Sequence, residues 1–310
     1  MAPEISVIIP AYNEVDNVEP LAKELVDVLG AYGKPFEIVF VDDGSSDGTA
    51  ERVLRLKDRF KQLRLVQMRR NFGQSSAMDA GFKHAEGKLL VPMDADLQND
   101  PRDIPRMIAE LGKGFDVVVG WRKHRKDPLM KKAFSRFANV LRKALVGDTI
   151  HDSGCTLKVI RREALDGVDL FGEVHRFIPA IVKMRGFRVT ECVVNHRQRH
   201  KGKTKYGLGR VLRGFLDLLV VSFWMKYSTR PIQLFGRLGV LSTGLGVLAG
   251  LYLLYEKFIS GLSIAGRPML LLSVLLVVLG VQFILFGCLA DLISKLMYRG
   301  APPYTIKRLV

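Results

Sequence analysis

The sequence predicts an α/β fold with a mainly parallel sheet, followed by interfacial amphipathic helices and a C-terminal two-helix transmembrane hairpin. Short, fully apolar runs (ISVIIPAYN, FEIVFVDD, KLLVPMDAD, FDVVVGWR) alternate with amphipathic patterns through the first two hundred residues or so. Strands that are apolar on both faces belong to sheets covered by helices on both sides. Residues 238–255 and 268–290 carry no charge at all. Eighteen or more such residues can cross the hydrocarbon core as a helix.

Taken in order, ISVIIPAYN is a strand and VEPLAKELVDVLGAYG a helix; FEIVFVDD is the next strand and DGTAERVLRLKDRF its helix. RLVQMRR, the helical SSAMDAGFKHAEG, KLLVPMDAD, a helix near 102–113 and FDVVVGWR complete the alternation. Ligands of such sheets bind outside the carboxyl ends of the strands. Polar groups gather at those ends: Tyr12, Asn13 and Glu14, then Asp42 and Asp43, then Asp94 and Asp96. A purely structural sheet needs no such acidic cluster. In the stretch VPMDADLQNDP an extended chain places Asp94, Asp96 and Gln98 on one side. Three oxygen ligands suit a hard divalent cation, Mg2+ or Mn2+, although a turn accounts for the same residues equally well. Neither a G-x-G-x-x-G after the first strand nor a phosphate-loop lysine is present, which excludes dinucleotide and P-loop readings.

The 310 residues carry a net charge of +16. Residues 121–143 hold nine Lys/Arg against one Asp, and residues 197–213 hold seven with no acid, so these stretches supply fifteen of the sixteen charges. Both accompany amphipathic segments. Within 129–146, Phe134, Phe137, Leu141 and Leu145 form one stripe, reading as an interfacial or a core-facing helix. A second amphipathic segment runs over 206–227. Positive charge placed this way fits anionic headgroups and argues against nucleic acid as the partner. Cys155, Cys192 and Cys288 are far apart, which fits neither a disulfide framework nor a zinc site. The chain enters a strand pattern almost at once, unlike a signal peptide.

Arg230, Arg237, Lys295, Arg299, Lys307 and Arg308 flank the hairpin, whereas its loop carries Glu256, Lys257 and Arg267. The positive-inside rule then puts both termini and the strand–helix region in the cytoplasm, on a multi-pass plasma (inner) membrane protein. Ser242, Gly246 and Gly250 form a small-residue stripe that predicts either a homo-oligomer or close packing within one hairpin; the homo-oligomer is the expectation taken forward. The expected divisions are 1–205, 206–231 and 232–310, with spans at about 238–256 and 268–291.

The motifs IPAYNE, VDDGSSDGT, RRNFGQSSAMDAGF, MDADLQ, DSGCTLK and RHKGKTKYG, in this order before two apolar spans, resemble family-2 glycosyltransferases. More narrowly, they resemble the group that makes dolichyl- and undecaprenyl-phosphate sugars, and the resemblance extends over the whole chain. It implies a GT-A type fold, a nucleotide-sugar donor, a polyprenyl-phosphate acceptor and an inverting, metal-dependent transfer. By the same resemblance Pro10, Tyr12, Glu14 and Asp42 line the nucleoside pocket. Asp94 and Asp96 hold the metal against the diphosphate with Gln98 beside them, and Asp94 also counts as a donor contact. Arg122, Arg136, Arg199, Lys203 and Lys205 are the acceptor-phosphate candidates. Asp96 and Asp152 are the catalytic carboxylates, Asp152 as one that orients acceptor or sugar, and for Asp152 a turn aspartate is an equal reading.

Two rivals are weighed against this. A processive polysaccharide synthase resembles only the first half and carries a Q-x-x-R-W motif absent here. A non-catalytic lipid-binding scaffold has no need of the intact set Glu14, Asp42, Asp94 and Asp96.

Overall fold

The computed structural model describes residues 2–123, 150–197 apart from 171 and 173, positions 222, 223 and 227, and 230–297. The chain forms two compact units, Met1–Val221 and Ser222–Val310. The segments expected to be interfacial, 129–146 and 206–227, lie outside the described residues except for positions 222, 223 and 227.

The first unit contains β1 (Ile5–Ala11), α1 (Val15–Tyr32), β2 (Phe36–Asp42), α2 (Thr49–Lys57), β3 (Leu63–Gln67), α3 (Gln74–His84) and β4 (Leu89–Pro92). It continues with α4 (Ile104–Gly112), β5 (Val117–Trp121), β6 (Lys158–Arg161), α5 (Arg162–Leu165), α6 (Ile178–Met184) and β7 (Val189–Val193). The strands make one sheet in the order β3-β2-β1-β4-β6-β5-β7. Val7, Ile8 and Ile9 of β1 and Ile38, Val39, Phe40 and Val41 of β2 are fully buried. Consecutive residues of a strand face opposite sides, so both faces of the sheet are covered. On α1, Val18, Leu21, Ala22, Leu25 and Leu29 repeat at helical spacing and are all buried in the same core.

The sheet is mixed. β1 pairs in parallel with β2 and β4, β2 with β3, and β5 with β7. β6 runs antiparallel to both of its neighbours. The mainly parallel expectation therefore holds for every strand but β6, a four-residue segment too short to stand out by periodicity. Its direction matters for the site. A strand reversed in the sheet begins at the rim where its neighbours end, so the residues just before Lys158 arrive beside the carboxyl ends of β1, β2, β4 and β5.

The second unit contains two long helices, α7 (Ile232–Phe258) and α8 (Pro268–Met297), both long and apolar enough to cross a membrane. They pack antiparallel through small residues. A Cβ on Gly246 would stand 2.8 Å from the Ser273 carbonyl oxygen and 2.9 Å from the Val277 amide. One on Gly280 would collide with the Thr243 side chain and with the backbone of Thr243 and Gly239. Ser242 donates to the Leu276 carbonyl at 2.7 Å, and Ser273 to that of Gly246 at 2.8 Å. Side chains such as Leu241, Leu248, Leu271 and Leu285 point outward and are exposed, as lipid-facing residues do. Two members of the stripe that suggested an oligomer, Ser242 and Gly246, are thus used inside the hairpin. In the last turns of α7, Glu256 accepts from Tyr252 at 2.7 Å and pairs with Arg267 of the following loop.

Candidate active site

The loops after β1 and β2 are tied to each other at the carboxyl rim. Asn13, at a positive φ of 56°, donates its backbone N–H to Ser45 Oγ at 2.9 Å, and its side-chain oxygen accepts the Ser46 N–H at 2.9 Å. Asp47 accepts the amides of Val15 and Thr49, and Thr49 Oγ1 accepts the Glu14 amide. Asp43 accepts the N–H groups of Phe72 and Gly73 at 2.7 and 2.9 Å, drawing in the loop after β3. That approach requires glycine at 44, because a Cβ there would run into the Arg70 backbone.

Four residues expected in a nucleoside pocket stand on this frame. Pro10 is half-buried in β1, Tyr12 is exposed at the rim, and Glu14 accepts from Asn17 Nδ2 at 2.5 Å. Asp42 is the most informative of them. Its side chain is fully buried, and Oδ1 accepts the Ser45 N–H at 3.2 Å. Among the described residues, its Oδ2 is buried with no hydrogen-bond partner. A buried carboxylate oxygen left open is costly and marks a place for a donor from outside.

Beyond β4 the structure corrects the reasoning for the metal triplet. The chain does not stay extended through residue 98: it leaves the strand at Pro92, bends over 95–97 and takes a positive φ of 62° at Leu97. Alternation along a strand therefore does not align Asp94, Asp96 and Gln98. Asp94 accepts from Gln74 Nε2 at 2.8 Å and from Thr156 Oγ1 at 2.7 Å, one donor on each oxygen. Asp96, buried, accepts the Gln98 N–H at 3.2 Å. The Gln98 side chain donates to the Arg197 carbonyl at 3.4 Å. Burial, and next the neighbouring Asp96 charge, push the Asp94 carboxyl above its ordinary range. A hard cation beside the Asp94 carboxyl would oppose that shift. Among the described residues no cluster of three or more His, Cys, Asp and Glu side chains forms a ready-made cage.

On the other side of β4, Arg122 follows β5 and meets Asp152 in a two-pronged ion pair, Nε to Oδ2 at 2.7 Å and Nη2 to Oδ1 at 2.9 Å. Such a fork fixes the guanidinium plane. Burial opposes the Arg122 charge, but the Asp152 carboxylate outweighs it and raises the pKa. Thr156 and Lys158 come from the same segment before and into β6. Lys158 is 1% exposed, and its ammonium donates to the Cys155 carbonyl. Burial pushes the Lys158 ammonium down to about 8 and the Cys155 thiol up to about 11, so Cys155 stays a thiol at neutral pH. Gln74, Thr156 and Lys158 escaped sequence reasoning. All three sit inside motifs recognised there, but neutral donors and one lysine give no signal until the sheet brings them to Asp94.

Arg136, Arg199, Lys203 and Lys205 lie outside the described residues. Arg197, which opens the second basic stretch, pairs with Glu24 at 2.8 Å and with Asp100 at 3.0 Å.

The description "Glycosyl transferase family 2" matches residues 6–168, from β1 past the Asp152–Lys158 segment. The chain belongs to glycosyl transferase family 2. Similar to this family-2 member is the dodecaprenyl-phosphate galacturonate synthase of Rhizobium johnstonii, 43% identical over 316 residues, covering 99% of this chain and 93% of that one. The undecaprenyl-phosphate 4-deoxy-4-formamido-L-arabinose transferase of Salmonella typhimurium is 33% identical over 311 residues, covering 99% and 94%. Both alignments run through the two apolar helices, so the family-2 chain is related to polyprenyl-phosphate sugar transferases along its length. Among solved structures, glucosyl-3-phosphoglycerate synthase from Mycobacterium tuberculosis with Mn2+ and uridine-diphosphate-glucose has a TM-score of 0.53 at 19% identity, covering 71% and 79%. Mannosyl-3-phosphoglycerate synthase from Rubrobacter xylanophilus has a TM-score of 0.53 at 16%, covering 71% and 74%. At these identities the likeness is one of fold.

Proposed function

We propose that this family-2 enzyme transfers a sugar from a nucleotide-sugar donor to polyprenyl phosphate, with inversion at the anomeric carbon. The product, a polyprenyl-phosphate-linked monosaccharide, serves envelope glycan or lipopolysaccharide modification. The observation that carries the reading is the end-to-end similarity to two transferases named for polyprenyl-phosphate substrates.

The site residues divide between the two substrates. Asp42 offers its open Oδ2 to an N–H or O–H of the nucleoside, with Pro10, Tyr12 and Glu14 around it. Asp94 and Asp96, with Gln98 beside them, would hold Mg2+ or Mn2+, which supplies Lewis-acid neutralisation of the departing diphosphate. The Mn2+ bound with uridine-diphosphate-glucose in a structure of the same fold supports that choice. Arg122 presents its remaining N–H groups to the acceptor phosphate, joined by Arg136, Arg199, Lys203 and Lys205. A phosphate monoester with a second pKa of about 6 is already anionic near neutrality. It needs orientation more than a strong base, so Asp152, engaged with Arg122, orients rather than accepts a proton. The hairpin keeps the first unit at the cytoplasmic face of the inner membrane, where the lipid phosphate lies. The expected homo-oligomer is a separate matter, decided by crosslinking in membranes.

The test incubates the purified protein in lipid with undecaprenyl phosphate and a panel of UDP- and GDP-sugars, with either cation. One sugar should yield a lipid-linked monosaccharide, and chelator or Asp96→Asn should remove most of the turnover. Absence of product from every donor would point to a non-catalytic lipid binder. Undiminished activity in excess chelator would exclude the metal.

A further inference from the structure

We propose that Glu191, on β7, is a positioning residue for acceptor recognition: it clamps the His151–Asp152 turn so that Asp152 holds the Arg122 fork at one fixed angle. The proposal rests on the reading of Arg122 as an acceptor-phosphate contact. Glu191 lies beside Val119 in the parallel register of β5 and β7, two strand ends that carry the neighbouring pieces of the acceptor side. Its side chain is only 14% exposed. One oxygen, Oε1, accepts two consecutive backbone N–H groups, His151 at 2.7 Å and Asp152 at 3.3 Å. The other, Oε2, meets His151 Nδ1 at 2.7 Å. The turn is zipped to the end of β5 by two further contacts. His151 stacks on Trp121 with ring centroids 4.5 Å apart and planes 16° apart. Asp152 accepts the Arg122 N–H at 3.3 Å as well as the two side-chain prongs.

The consequence for Arg122 follows from hydrogen-bond counting. A guanidinium has five N–H groups, and the Asp152 fork uses the edge formed by Nε and one N–H of Nη2. The N–H groups on the opposite edge are those a phosphate oxygen meets. Their direction is set by the plane of the fork, that plane by the Asp152 carboxylate, and the carboxylate by a turn whose two amides end on Glu191. A carboxylate that only stabilised the fold would serve as well anywhere along β7. This one is joined to the single turn that carries the Arg122 partner. Small misplacements of a positioning group cost large factors in rate or affinity.

The test is the steady-state kinetics of Glu191→Ala, Glu191→Asp and Glu191→Gln in the full-length protein in lipid, varying undecaprenyl phosphate at saturating donor. Nucleotide-sugar affinity is measured alongside by calorimetry. Ala and Asp, which lose or shorten the double acceptor, should raise the acceptor KM roughly tenfold with donor affinity unchanged. Glutamine keeps an oxygen for both amides, and its NH2 can face the other tautomer of His151, so it should recover most of the acceptor affinity lost in Ala. If Ala does not fold, Asp against Gln carries the same comparison. A normal acceptor KM in the folded variants, or a Gln variant as impaired as Asp, overturns the proposal. Arg122→Lys tells the two failures apart. If it raises the acceptor KM while the Glu191 variants do not, the clamp is wrong and the phosphate contact stands. If it leaves that KM unchanged, both fall.

Discussion

At the residue scale, two buried groups report on the site. Asp42 Oδ2 is a buried acceptor without a donor of its own among the described residues, and we propose that the nucleoside supplies that donor. Asp42→Asn puts a donor or a neutral acceptor where an anionic one stood. A hydrogen bond to a charged group is worth about 1.5–3 kcal/mol, so the nucleotide-sugar Kd should rise roughly ten- to hundredfold by calorimetry. An unchanged Kd would move the nucleoside elsewhere. Lys158 reports through pH instead. Its folded pKa, about 8, lies below the ordinary 10.5, so above pH 8 the unfolded chain binds a proton that the folded chain has released. Its contribution to stability therefore grows as pH rises from about 8 to about 10.5, is complete above that, and is lost as pH falls through about 8. The full difference is on the order of 3 kcal/mol. Melting curves of wild type and Lys158→Met across this window should diverge, the variant lacking the alkaline gain. Parallel curves would mean that Lys158 is not desolvated as described.

At the scale of elements, the hairpin makes the sharpest claim. Gly246 faces the Ser273–Val277 stretch of α8 within the same chain. Gly246→Leu should force the helices apart and cost about 1–3 kcal/mol by overpacking, lowering the melting temperature without changing the subunit number. Crosslinking in membranes that shows a lost dimer and an unchanged melting temperature would restore the oligomer reading of the stripe. The same scale explains what was legible in sequence. β1, β2, β4 and β5 announce themselves because strands covered on both faces are continuously apolar, and the acids at their ends mark the rim. β6 does not, since its four residues are few and begin with a lysine, a residue seldom buried. With β6 unread, its antiparallel direction could not be foreseen, nor the arrival of Thr156 and Lys158 next to Asp94. The triplet Asp94, Asp96, Gln98 was found by assuming an extended chain. The bend at Leu97 removes that assumed geometry. Glu191 carried no signal at all, because its partners, the amides of His151 and Asp152 and the His151 ring, lie about forty residues away in sequence.

At the scale of the whole molecule, we propose that the family-2 enzyme divides its labour across the sheet. Asp42 ends β2 and Asp94 and Asp96 follow β4, while Arg122 and Asp152 stand beyond, after β5 and before β6. On that proposal the donor takes one half of the rim and the acceptor phosphate the other, as a displacement from behind the leaving group requires. The claim is tested most directly with Arg122→Lys, which keeps a cation beside Asp152 but loses the planar fork. The measurement pairs nucleotide-sugar affinity by calorimetry with transfer rates at varied undecaprenyl phosphate. The account predicts a donor Kd close to wild type and an acceptor requirement raised roughly ten- to hundredfold. Weakened donor binding with normal acceptor saturation would contradict it, and would assign Arg122 to the nucleotide diphosphate.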